Sequence, residues 1–75
     1  MDRPTFGARV RAWREARGLR QTEVAARAGI AAVRLCRIEK GSRVATVEEM
    51  ERLAIALGVA EGDLSTLPDA GGEAA

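Results

Sequence analysis

Apolar residues in this chain recur three and four positions apart, the spacing of helices that bury one side. Phe6, Val10 and Trp13 form the first such stripe, behind Thr5 as a capping residue. Gly18 ends it, with Arg17 in the last turn where a cation suits the helix dipole, and Leu19 follows as a buried plug. Val24, Ala25 and Ala28 make a second stripe from Gln21; Gly29, tolerant of positive φ, interrupts it, and Leu35 and Ile38 resume it. Projected at about 100° per residue, a third helix from about Ala31 to Ile38 places Ala31, Leu35 and Ile38 on one side. Val33, Cys36 and Arg37 face away, with Ala32 and Arg34 on the flanks. Thr46 and Glu49 form a capping box that opens a fourth helix, whose buried face is expected to be Val47, Met50, Leu53, Ala54 and Leu57, with Gly58 as its stop. Val59 and Leu64 bracket a short fifth helix, after which periodicity is lost.

This pattern predicts an all-α, compact five-helix domain over residues 5–65, with a flexible N-terminus at 1–4 and a disordered C-terminal tail at 66–75. A chain of 75 residues holds one domain with a small core, which dimerisation would help to stabilise. The single Cys36 excludes an internal disulfide, and the absence of histidine excludes a Cys/His metal site, so neither metal nor cofactor is expected. The same inventory offers no activated nucleophile and no acid/base pair, so the expected function is binding rather than catalysis. There is no leading apolar segment before a cleavage site, and no run approaches the roughly 20 apolar residues of a membrane span. A cytoplasmic protein is expected.

Charge changes the picture more than composition does. Residues 1–43 carry ten Arg and Lys40 against Asp2, Glu15, Glu23 and Glu39, a net +7, while residues 44–75 carry Arg52 against seven acids, a net −6. Clustered arginine attracts phosphate before any specific contact forms, so the N-terminal half suits a polyanion; a solvated charged surface is the plainer alternative.

Two helices around a tight glycine turn make a helix-turn-helix. Gln21, Ala25, Gly29, Ile30, Leu35 and Glu39, followed by Gly41, resemble the phage repressor and Cro-like (XRE-type) helix-turn-helix family, and the similarity runs from Phe6 to Leu64. The resemblance implies a lambda-repressor-like DNA-binding domain whose third helix enters the major groove and reads bases from positions equivalent to Ala32, Val33 and Arg37. Ala32 and Val33 suit thymine methyls, and Arg37 suits guanine O6 and N7. Expected phosphate contacts are Arg20, Gln21, Arg34, Lys40, Ser42 and Arg43, with Gln21 also bracing the next helix unless it is an ordinary surface glutamine. Arg20 stands where the family has a Ser or Thr cap, a departure costing on the order of 1 kcal/mol. Arg14 and Glu39 match a family ion pair that ties helix one to the end of helix three, with ordinary surface charges as the alternative. Cys36, beside Arg34 and Arg37, invites a redox reading, but without a resolving cysteine a small tolerated residue is the better one.

Two functions follow as expectations. The first is a sequence-specific transcription regulator that binds double-stranded DNA as a homodimer, in the manner of restriction-modification controllers, phage-type repressors or antitoxins. By resemblance, its dimer surface would lie at helix five and the end of helix four. The second is a protein-interaction module on the same fold, an antitoxin or bridging factor holding a partner polypeptide, which the apolar Ala31, Ala32 and Val33 favour.

Overall fold

The computed structural model of the protein describes residues 5–60 and residue 64. These form four α-helices, α1 (Phe6–Ala16), α2 (Gln21–Ala28), α3 (Ala32–Lys40) and α4 (Val47–Leu57), with no strand among the described residues. The short helix expected between Val59 and Leu64 falls on residues 61–63, outside those described, as do the N-terminus at 1–4 and the tail at 66–75.

Each helix start follows local chemistry. Thr5 Oγ1 accepts the Ala8 N–H at 3.1 Å at the head of α1. At α4 the box closes in both directions: Thr46 Oγ1 accepts from the Glu49 N–H at 3.1 Å, and Glu49 Oε1 accepts from the Thr46 N–H at 2.9 Å. Arg20, at the head of α2, has only donors in its side chain, yet half of a capping box survives because Glu23 Oε1 accepts its backbone N–H at 2.8 Å. Gly29 and Gly41 end α2 and α3 at φ +72° and +84°, the left-handed conformation that lets the chain turn sharply between helices.

The helices pair as α1 on α3 and α2 on α4, with α2 and α3 meeting at the glycine turn. Val10, Val24, Leu35, Leu53 and Leu57 fill the centre, with Ala25, Ala28, Ala54 and Ala56 letting the helices approach closely. Phe6, Trp13, Leu19 and Met50 are only half-buried, the first three packed against this centre. Gly7 marks the tightest crossing: a Cβ built there would lie 1.7 Å from the Ile38 carbonyl oxygen, so α1 can cross α3 only with glycine at this position. Arg17 closes the far end, its Nε donating to the Leu57 carbonyl at 2.6 Å and its guanidinium standing 5.2 Å from the centre of the Trp13 ring.

Three expectations are corrected. Val47 is exposed, because as the first residue of α4 it sits about 90° around the helix from the centre of the buried stripe, while Ala56 is buried in its place. Ala31 is also exposed, because α3 starts one residue later than expected and leaves Ala31 as an extended N-cap. Cys36, expected to face away, is half-buried on the α3 flank.

Candidate nucleic-acid interface

The end of α3 is anchored by a buried carboxylate. Glu39, whose side chain is 2% exposed, accepts from Arg14 Nε at 2.8 Å, from Arg14 Nη2 at 3.1 Å and from Gln21 Nε2 at 2.9 Å. Arg14 also donates from Nη1 to the Leu19 carbonyl at 2.9 Å. The hydrogen bond to Glu39 raises the affinity of Arg14 for its proton against the opposing effect of burial. One carboxylate thereby joins α1, the start of α2 and the end of α3. With Leu35 and Ile38 buried on the same helix, this clamp fixes how α3 is rotated about its axis.

That rotation turns Val33 and Arg37 outward. Val33 is 58% exposed and Arg37 is exposed, whereas Ala32 is half-buried and packed partly against the core. Lys40 and Arg43 continue the exposed surface beyond α3, and Arg20 is exposed at the start of α2. Among the described residues, none of Arg20, Arg37, Lys40 and Arg43 forms an ion pair. Their charge is open to a partner.

The other residues expected to hold phosphate have commitments within the chain. Gln21 uses one amide N–H on Glu39 and keeps the second. Ser42 donates its hydroxyl to the Arg37 carbonyl at 3.2 Å, capping α3, so its only proton is occupied. Arg34 turns away toward α4: Nε and Nη2 donate to the two carboxylate oxygens of Glu49, the Nη2 bond at 2.7 Å, and Nη2 also reaches the Val44 carbonyl at 3.4 Å. The Arg34 guanidinium, followed by the Thr46 backbone N–H, lowers the Glu49 pKa from 4.5 to about 2. Sequence reasoning found Glu49 as a cap but missed it as an ion-pair partner, since nothing local connects residues fifteen apart. Gly7 was also missed, although a glycine interrupting an apolar helical stripe is a recognisable sign of close packing.

A family profile described as "Helix-turn-helix domain" matches residues 5–67. The chain belongs to this helix-turn-helix family. Its repressor and Cro-like (XRE-type) character holds in three dimensions as well. The helix-turn-helix domain is similar to the restriction-modification controller protein C.AhdI from Aeromonas hydrophila, at 32% identity and a TM-score of 0.76 over 79% of this chain and 89% of that one. It is also similar to SinR, a master regulator for biofilm formation solved in complex with DNA, at 25% identity and a TM-score of 0.75 over 83% of this chain and all of that one. No curated protein matches it. No helix among the described residues of the domain is long and apolar enough to cross a membrane.

Proposed function

We propose that this helix-turn-helix domain is a transcription regulator that binds double-stranded DNA sequence-specifically, with the outer face of α3 in the major groove. One observation carries the reading: the Glu39 clamp holds α3 so that an exposed Arg37 without an ion pair stands beside an exposed Val33, with Lys40 and Arg43 just beyond. Arg37 is proposed to take guanine through O6 and N7, and Val33 with the accessible part of Ala32 to take thymine methyls. Arg20, Lys40, Arg43 and the second N–H of Gln21 are proposed to hold phosphates that set the register of α3. The two similar proteins support this, one being a controller of restriction-modification and the other a regulator solved with DNA. A homodimer would place two copies of α3 about 34 Å apart, one helical turn of DNA.

The test is selection of bound duplexes from a random-sequence pool, followed by Arg37→Ala on the selected site. Loss of about 1–3 kcal/mol with relaxed preference at a single base pair supports Arg37 as the reader. A variant that keeps both its affinity and its base preference at every position would remove it. A second reading, a protein-interaction module, draws on Val33, Val44 and Val47, which are 58%, 83% and 72% exposed. It predicts no steep loss of DNA affinity with salt and no dependence on Arg37.

A further inference from the structure

The Arg34–Glu49 pair stands apart from the cations of the proposed DNA face. Arg34 lies on α3 three residues before Arg37, yet its guanidinium is engaged along the edge formed by Nε and Nη2, the edge most suited to two acceptors of a phosphate. Nη2 also leans on the Val44 carbonyl, so the nitrogen left without a partner is Nη1. Glu49 is in turn held in place. Its side chain is 12% exposed, and the same carboxylate accepts the Thr46 N–H that starts α4. The pair is formally neutral, and a phosphate approaching Arg34 meets a fixed negative charge beside it.

We infer that Glu49 is a specificity-determining positioning residue that withholds Arg34 from DNA phosphate, so that sequence-independent attraction rests on the cations outside this pair. This inference rests on the DNA-binding reading above. An arginine free on α3 would add one phosphate contact on any duplex, strengthening specific and non-specific binding together. Pairing it within the fold leaves base reading by Arg37 a larger share of the total.

The arrangement also supplies a clean test, because glutamine at position 49 retains an acceptor for the Thr46 N–H and so preserves the capping box while losing the charge. Glu49→Gln is expected to bind a random-sequence duplex more tightly, with a salt dependence steeper by about 0.9 in log–log slope, the release of one further phosphate's counterion. Arg34→Gln combined with Glu49→Gln should lose the gain. Glu48→Gln adds the same charge on the neighbouring residue, whose carboxylate reaches Arg52 only at 3.7 Å, and should leave the slope unchanged. The inference is overturned if Glu49→Gln shows an unchanged or shallower slope, if Glu48→Gln matches it, or if the double variant keeps the gain. Unaltered protein that binds no duplex at low salt sinks the DNA-binding reading and this inference with it, whereas binding with an unmoved Glu49→Gln slope sinks the inference alone.

Discussion

A carboxylate as buried as that of Glu39 carries a large desolvation cost, and what offsets it here is three donated N–H groups, two of them from a cation. Removing the cation alone leaves the charge buried with only the Gln21 amide. Arg14→Ala is therefore expected to lower folding stability by about 3 kcal/mol, a large share of what a domain this size possesses, read as a shift in the midpoint of a urea melt. Base preference should stay as it was, because Arg14 is behind α3 and not on its outer face. A midpoint equal to that of the unaltered protein would show that the clamp contributes nothing. Glu39→Gln should cost less than Arg14→Ala, since the amide keeps an acceptor for Arg14 or Gln21 and the charge left without its partner, Arg14, is the less buried of the two.

At the scale of elements, the start of α4 joins two roles in Glu49, cap and ion-pair partner, and this gives the domain an acid-sensitive corner. The carboxyl titrates near 4.5 when unfolded and at about 2 when folded, so the folded state prefers it deprotonated. Its stabilising contribution is complete above pH 4.5 and is lost as pH falls toward 2. Urea midpoints taken from neutral pH down through that window should converge for the unaltered protein and Glu49→Gln, the glutamine variant lacking this component of the fall. Parallel curves across the whole range would mean that Glu49 is not held by Arg34 in solution. The elements themselves were largely legible in the sequence: the stripes at Val10, Val24, Leu35 and Leu53, the box at Thr46 and the turn at Gly29 are local signals read by period and residue type. What escaped was non-local. Arg34 looked like a free cation because its partner comes fifteen residues later, and Val47 looked buried because it stands three residues before Met50, although it lies about 90° from the centre of the stripe that the fold buries. The same division applies to the proposed DNA face, where Arg37 and Val33 follow from helical projection alone, but the half-buried state of Ala32 depends on where α3 begins.

For the whole molecule, a core centred on a few leucines and valines is small, and the described surface still exposes a large aliphatic side chain opposite that core. Ile55, on the outer side of α4, is 79% exposed and lines a shallow groove with Glu51, Ala54, Val59 and Ala60. A two-fold interface repeats each contact, so an isoleucine near such an axis is covered twice. This face is well away from Arg37, which lies on α3 while α4 packs mainly against α2, so pairing through it would leave both DNA faces open. If the proposed homodimer forms here, Ile55→Asp removes about 3 kcal/mol of apolar burial over the two copies and weakens association at least a hundredfold. Sedimentation equilibrium should then show monomer at concentrations where the unaltered protein is dimeric. The fold should survive, because the side chain already faces solvent within one protomer, and thermal midpoints should lose the rise with protein concentration that a dimer displays. Affinity for a site with two half-sites should fall toward that for a single half-site, while the salt dependence per protomer is kept. An Ile55→Asp protein that still sediments as a dimer would move the interface elsewhere and leave the proposed reading by α3 untouched.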